Sequence, residues 1–203
     1  MAKRSAPEVN AGSMADIAFL LLIFFLVTTT IETDSGISRR LPPIDDNQDI
    51  PDIRKKNIFI VLVNKDDQLL VNDDPAELKD LRQEAIEFLD NGGGIGEEAC
   101  DYCQGAKDPS SSDNPDKAVI SLQNDRLTSY KMYIAVQNEL VAAYNDLRDR
   151  EALRLYGKSY REMEKNKADP NWGGDKEKLD QQLSVLKAMY PQKLSEAEPK
   201  RRD

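Results

Sequence analysis

An apolar run near the N-terminus, directly preceded by one carboxylate, restricts the possible folds of this chain more than any other feature. Ile17 to Val27 is a run of eleven consecutive apolar residues, and Asp16 stands immediately before it. Among the 23 positions from Val9 to Ile31, Asp16 is the only charged residue. An α-helix over that stretch is about 34 Å long, enough to cross about 30 Å of hydrocarbon. The pattern therefore predicts a single transmembrane helix, which we place at residues 11–31.

The same segment has a second interpretation, a cleaved secretory signal peptide. In that case Lys3 and Arg4 are the basic start, and the apolar run is the hydrophobic middle. Thr28 to Thr30 then stand where a cleavage site has small residues. The position of Asp16, outside any basic start region, favours the membrane helix. The alternative protein is a secreted binding or structural module released after cleavage.

Asp16 is the candidate functional residue of the predicted helix. An ionised carboxylate in hydrocarbon costs about 2.5 to 3.5 kcal/mol on insertion scales, so Asp16 is expected to face protein or water. Gly12 and Thr30 lie within about 40° of Asp16 on a helical wheel, and Ser13 also lies near the helix start. This small and polar face suits packing against a partner helix. Because burial favours the neutral carboxyl, we hypothesise that Asp16 relays protons; the other interpretation is an interfacial carboxylate without a function.

Composition and charge exclude several functional classes. The chain has 28 basic and 37 acidic residues, a net charge of -9, and no histidine. Histidine catalysis, histidine metal ligation and a histidine pH switch are therefore excluded, and the acidic balance argues against nucleic-acid binding. No G-x-S-x-G motif occurs, and the carboxylate pairs at 45–46 and 73–74 have ordinary solvated or capping roles. We expect no catalytic residue, no cofactor and no metal.

The segment after the apolar run predicts a linker followed by a small α+β domain. Residues 32–56 are rich in Pro, Asp and Ser and are interpreted as a flexible linker, and residues 57–203 as the domain. The β-branched run at 57–63 and Leu69 to Val71 predict a hairpin. Asp74, Pro75 and Glu77 are interpreted as the N-cap, first residue and capping-box acid of a helix. That helix is expected to bury Leu78, Leu81, Ala85 and Phe88.

The remaining pattern predicts a mixed sheet packed on two or three helices. We expect a strand at 118–122, a long helix from Thr128 to Gly157, a charged loop at 158–178, a helix at 176–189 and a short last strand at 193–197. The long helix carries an apolar stripe that we interpret as core packing, formed by Tyr133, Val136, Leu140, Tyr144 and Leu147. Trp172 is interpreted as a local anchor.

Residues 91–117 form a Gly-, Ser- and Asp-rich stretch, called here the insertion, which we interpret as a mobile loop. It contains Cys100 and Cys103, the only cysteines of the chain. Two cysteines are at best half of a zinc site, and the βαβ pattern of a thioredoxin-like redox motif is missing. Our preferred interpretation is a local disulfide formed in an oxidising compartment.

Four stretches of the sequence together resemble the ExbD/TolR family. ADIAFLLLIFFLV resembles its transmembrane signature, with the intramembrane acid at Asp16, and Leu41-Pro42 resembles its membrane-proximal Leu-Pro motif. LLVNDDPAELKDL resembles the strand, turn and first helix of its folded domain, and ISLQNDRLTSYKMYIAVQNEL the following strand and helix. The resemblance covers residues 9–90 and 117–150. The insertion and the tail after Leu147 exceed the compact family pattern.

The resemblance implies an inner-membrane stator subunit with a cytoplasmic tail at residues 1–10 and a periplasmic α+β domain. It implies a homodimer whose two membrane helices sit inside a pore made by a pentameric ExbB- or TolQ-like multi-span partner, with membrane lipid as a further partner. Asp16 would then carry protons, and a TonB- or TolA-like protein would receive the motion for transport across the outer membrane.

Overall fold

The computed structural model describes residues 11–28 and 54–197. The chain divides into two units, residues 1–49 and 50–203. The first unit contains helix α1, Ala11–Thr28. The elements of the second unit are, in chain order, β1 Ile58–Val63, β2 Leu69–Val71, β3 Asp74–Ala76, α2 Leu78–Leu89, β4 Val119–Asn124, α3 Tyr130–Tyr156, α4 Tyr160–Ala168, α5 Lys176–Met189 and β5 Leu194–Ala197.

The second unit is built on a mixed five-stranded sheet with the order β3-β2-β1-β4-β5. β1 pairs antiparallel with β2, and β2 pairs antiparallel with β3. β4 lies parallel to β1, and β5 lies parallel to β4. The predicted α+β class, the mixed sheet, the hairpin and the short last strand are therefore confirmed.

One face of this sheet forms the core with α2 and α3. Successive residues of a strand point to opposite faces, so Phe59, Val61 and Val63 of β1 are buried while Leu62 between them is 36% exposed. Burying one such side chain contributes about 1.5 to 3 kcal/mol. The stripe predicted on the long helix packs into this core, although Tyr133 is only partly buried.

Helix α3 is bounded by the residues expected of a helix start and end. The Ser129 side chain accepts a hydrogen bond from the Met132 backbone amide, and Gly157 ends the helix at φ +67°. The second half of α3 carries α4 and α5 on a separate apolar cluster, formed by Ala152, Tyr160, Met163, Leu179, Leu183 and Leu186, with Tyr156 and Trp172 partly buried against it.

The predicted helix start at residues 74–77 is wrong. Asn72 and Asp73 have φ of +50° and +74°, which makes them the two central residues of a type I′ turn. The chain therefore turns back as edge strand β3, in which Pro75 lies opposite Leu70. An edge strand accepts proline because its outer N–H position needs no partner. Helix α2 begins at Leu78, and the Glu77 side chain makes no capping hydrogen bond.

Two further expectations are corrected. Residues 158–178 are not all loop, because Ser159 caps a short helix, α4, by accepting a hydrogen bond from the Glu162 amide. The insertion is not the loosely held loop that its composition suggests. Asn91, Ser112 and Asp113 are buried, and backbone bonds join Gly93 to Ser112 and Gly94 to Asp113.

Candidate functional site

Helix α1 presents apolar side chains on all of its sides. The large apolar residues from Met14 to Phe25 are exposed, from 41% for Ile23 to 62% for Leu22 and Phe25. A soluble surface helix has a polar face, whereas a helix that is apolar all round requires an apolar environment. Asp16 is the single charged residue in α1.

Asp16 lies on the surface of α1, one turn after Gly12, which is also exposed. Residues four apart share a helix face, so these two predicted site residues lie together. Ser13 is also part of α1. Thr30, Leu41 and Pro42 lie outside the described residues, as do residues 1–10 and most of the predicted linker. Within residues 11–28 and 54–197, no helix reaches the length and apolar character needed to cross a membrane.

The folded domain contains a buried polar cluster around Asp90, the residue that ends α2. Asp90 accepts hydrogen bonds of 2.6 and 2.9 Å from the Arg150 guanidinium and of 2.6 Å from the Tyr190 hydroxyl. Burial raises the pKa of Tyr190, and its hydrogen bond to Asp90 raises it further. The hydrogen bond to Asp90 likewise raises the pKa of Arg150. The cluster therefore holds a neutral tyrosine and a fixed cation, which suits a structural role.

Two further arginines of α3 extend this cluster toward the C-terminal helices. Arg148 is buried and donates to the Tyr190 backbone carbonyl at 2.6 and 3.0 Å. The fully buried carboxylate of Glu151 pairs with Arg150 at 3.1 Å and with Arg154 at 2.6 Å. Burial raises the pKa of the nearby Tyr160 hydroxyl to about 12. Glu151 is therefore compensated by two arginines and Arg148 by hydrogen bonds to a carbonyl oxygen, as stability in a low-dielectric interior requires.

A third buried carboxylate, Asp113, joins the insertion to the residues that precede β1. The Asp113 side chain accepts hydrogen bonds from Asn57 at 3.0 Å and Lys56 at 2.5 Å, and its backbone amide donates to Asn57 at 2.8 Å. Burial acts to raise the pKa of Asp113. The bonds from Lys56 and Asn57, with the charges of Lys56 and Arg54, outweigh it, so this pKa lies below its usual value.

The two cysteines lie inside the insertion and form a disulfide, with their Cα atoms 5.5 Å apart. Both are buried, and Gly92 packs directly against Cys103, where a Cβ atom would come within 2.7 Å of the Cys103 Cβ. Tyr102, between the cysteines, donates to the Met189 carbonyl at 2.7 Å. The bridge thus belongs to a packed loop that contacts the end of α5.

An open cleft of about 530 Å³ lies between β3, α2 and the insertion. Phe59, Val71 and Phe88 contribute apolar surface to its lining, and four carboxylates line it as well: Asp74, Glu84, Glu87 and Asp108. Burial, together with the charges of Asp80 and Glu87, raises the pKa of Glu84. Among the described residues, no group of His, Cys, Asp or Glu side chains is arranged to hold a metal ion. We assign no chemistry to this cleft.

The polar clusters around Asp90 and Asp113 are the features that sequence reasoning missed. Asp90 meets Tyr190 across 100 positions, and Asn57 meets Asp113 across 56. No local pattern marks such pairs, because each residue taken alone has the appearance of a solvated loop or helix-end residue. The sequence contains one indirect signal for these clusters, the high Gly content of the insertion. Glycine allows two backbone segments to approach closely, which is compatible with a packed loop.

Comparison with known proteins addresses the region that holds α1 and most of the folded domain. No curated protein matches the chain. Residues 2–148 match the family described as Biopolymer transport protein ExbD/TolR. The matched range contains Asp16, the sheet strands β1 to β4 and the first two thirds of α3. Since the match covers well over half of the sequence, the chain belongs to the ExbD/TolR family of biopolymer transport proteins.

Proposed function

We propose that this protein is the proton-motive-force-coupled stator subunit of an inner-membrane complex that energises TonB-dependent or Tol-type transport across the outer membrane. Membership of the ExbD/TolR family supports a role in biopolymer transport in general. The proposal adds a proton pathway, a membrane topology and a set of partners.

The placement of Asp16 carries the proposal. It is the one charged side chain of α1 and is surrounded along the helix by exposed apolar residues. Ionisable residues in such segments usually face a partner or a water-filled path and mark routes for ions or protons. Asp16 therefore takes up a proton on one side of the membrane and releases it on the other, and the change of charge moves the helix.

The proposed topology follows from the same segment. Residues 11–31, of which 11–28 form α1, cross the inner membrane; residues 1–10 lie in the cytoplasm, and the sheet domain lies in the periplasm. Two copies of the chain place their membrane helices inside an ExbB- or TolQ-like multi-span protein, and a TonB- or TolA-like protein receives the motion. The protein performs no enzymatic turnover.

The mass of the mature chain tests this topology against the secreted alternative. The chain, expressed with a C-terminal tag, is recovered from membrane and soluble fractions and measured intact. We expect a membrane-bound chain that retains residues 1–31. A soluble mature chain beginning near Ile31 would show a cleaved signal peptide and would rule out the stator proposal.

The partner is tested by purification of the tagged chain from solubilised membranes. We expect a multi-span protein to co-purify, and the variant Gly12→Leu, which places a bulky side chain on the face of α1 that carries Asp16, to lose it. The matched control Phe25→Leu changes the opposite side of α1, keeps its apolar character and is expected to retain the partner. Recovery of the wild-type chain alone, under conditions that preserve other inner-membrane complexes, would contradict the proposal.

A further inference from the structure

We propose that the insertion, residues 91–117, is a strap that ties the N-terminal entrance of the folded domain to its C-terminal end, so that the two ends open together. The entrance is residues 54–57, which lead into β1. The C-terminal end is residues 189–194, which lead from α5 into β5. The proposal concerns the folded domain and holds whether or not α1 spans a membrane.

Three entrance residues contact the insertion through charged or amide side chains. Asn57 and Asp113 exchange two hydrogen bonds, of 3.0 and 2.8 Å, in a buried setting. Lys56 donates to the Asp113 carboxylate at 2.5 Å and to the Pro109 carbonyl at 3.1 Å. Arg54 donates to Glu98 at 3.1 Å. Of these contacts, those of Asp113 are expected to hold the entrance most strongly. Asp113 is charged and buried, and hydrogen bonds to charged groups are stronger where water does not compete for them.

The C-terminal end contacts the same insertion at separate positions. The Tyr102 hydroxyl donates to the Met189 carbonyl, and the Tyr102 ring packs edge-on against Tyr190 with the centroids 5.5 Å apart. Lys193 pairs with Asp116 at 3.2 Å. The insertion therefore reaches both ends of the domain, through Asp113 on one side and Tyr102 with Asp116 on the other.

The insertion has the internal bonding that a strap needs to transmit an opening. The Asn91 side chain donates to the carbonyls of Asp108 and Ser112 at 2.8 Å each, and accepts from the Asp108 amide at 3.0 Å. The disulfide closes the central turn around Tyr102. The contact point of the entrance and that of the C-terminal end are thus parts of one hydrogen-bonded loop, which favours a single cooperative opening unit.

The strap is a second connection between the two ends, beside the sheet. β1 and β5 are not neighbours, because β4 lies between them and pairs with both. A force applied to the chain before Arg54 therefore acts on both β1 and the insertion. The insertion transmits part of that force to the end of α5. The insertion and the tail, which are separate departures from the family pattern in sequence, act as one unit in this structure.

Hydrogen exchange of the full chain in detergent tests the strap with two variants, one at each end. Asp113→Asn removes the charge that Lys56 and Arg54 contact, and Tyr102→Phe removes only the hydroxyl that bonds to Met189. The control is Asp101→Asn, an exposed residue of the same loop. We expect each of the two variants to raise exchange about tenfold at the hydrogen-bonded amides of both ends, with little change in the control. These amides are Asn57 at the entrance, and Tyr190 and Lys193 at the C-terminal end.

The outcome that would overturn the strap is a local response. If Asp113→Asn raises exchange only at residues 54–57, and Tyr102→Phe only at residues 189–194, the ends open independently and the insertion is passive. If Asp113→Asn does not fold, Lys56→Gln takes its place, because it removes the charge partner while the buried Asn57 and Asp113 remain. Unchanged exchange at both ends in all variants would also contradict the proposal.

Discussion

Asp90 joins three parts of the folded domain through one carboxylate. It ends α2, pairs with Arg150 of α3 and receives the Tyr190 hydroxyl from the end of α5. Its Oδ2 atom also accepts the Gln104 amide of the insertion at 3.2 Å. Single buried groups of this kind contribute more through what their loss leaves behind than through the contact itself, because the former partners remain buried without compensation.

Replacing Asp90 by alanine should therefore be strongly destabilising. The Asp90→Ala variant removes the acceptor of the Tyr190 hydroxyl and two of the acceptor contacts of Arg150, which keeps its pair with Glu151. We expect the free energy of unfolding to fall by about 3 kcal/mol. Urea unfolding in detergent measures it, with Asp101→Ala as an exposed control that should change by less than about 0.5 kcal/mol. Equal stability of the two variants would show that the cluster is not a stabilising feature.

Asp113 predicts a pH dependence of stability in the acid range. Because the pKa of its carboxyl is lower in the folded than in the unfolded chain, the folded state gains stability above the unfolded value of 3.8 and loses it as the pH falls through the folded value. Lys56, Arg54 and Glu98 are the charged groups near it.

Urea unfolding from pH 5 to pH 2 checks this dependence. We expect the wild-type chain to lose stability on acidification more steeply than Asp113→Asn, whose amide does not titrate. The Asp101→Asn control should keep the wild-type slope. Parallel slopes for wild type and Asp113→Asn would mean that Asp113 gains nothing from its partners on folding.

At the scale of elements, the turn between β2 and β3 determines how the sheet edge is made. Both central residues are left-handed, although neither is glycine, and the Asn72 side chain also accepts the Ile60 amide at 3.0 Å. Left-handed conformations suit glycine, are tolerated by Asn and Asp, and are strained for β-branched residues. The turn, rather than a helix cap, is what Asn72 and Asp73 encode.

Two substitutions of Asp73 test this turn in opposite directions. Asp73→Gly, at φ +74°, should raise the free energy of unfolding by about 0.5 kcal/mol, and Asp73→Val should lower it by about 1 to 2 kcal/mol. If residues 74–77 instead began a helix with Asp74 as its cap, Asp73 would not need a positive φ. Stabilisation by glycine together with destabilisation by valine would then not be expected. Urea unfolding measures both variants under one condition.

The elements that sequence predicts well are those with a strong local period. The apolar run at 57–63 predicts a strand and the apolar stripe of α3 predicts a helix, and the structure contains both. The start of α2 was misplaced because Asp-Pro-x-Glu has the residues of a helix start and also those of a turn and edge strand. Helix α4 was missed because Tyr160 and Met163 are its only buried residues, which is too few for a visible period.

At the scale of the whole molecule, the fold extends beyond the part that the family match covers. The match ends at residue 148, yet Tyr190 belongs to the main core and β5 completes the sheet. Asp16 is a candidate that the sequence alone marks, because a carboxylate directly before an apolar run is a local signal. The polar clusters are not marked in this way, because contacts across 56 to 100 positions depend on the finished fold.

Proton conduction by the assembled complex tests the central role of Asp16 most directly. The chain and its co-purified multi-span partner are reconstituted into liposomes, and proton entry under an imposed gradient is followed with a trapped pH-sensitive dye. The variant Asp16→Asn keeps the size and polarity of the side chain but does not titrate, and Asp16→Glu keeps the carboxyl. We expect Asp16→Asn to assemble normally and to reduce proton entry to that of liposomes with the partner alone, while Asp16→Glu retains part of it. Proton entry at the wild-type rate in assembled Asp16→Asn complexes would contradict the account.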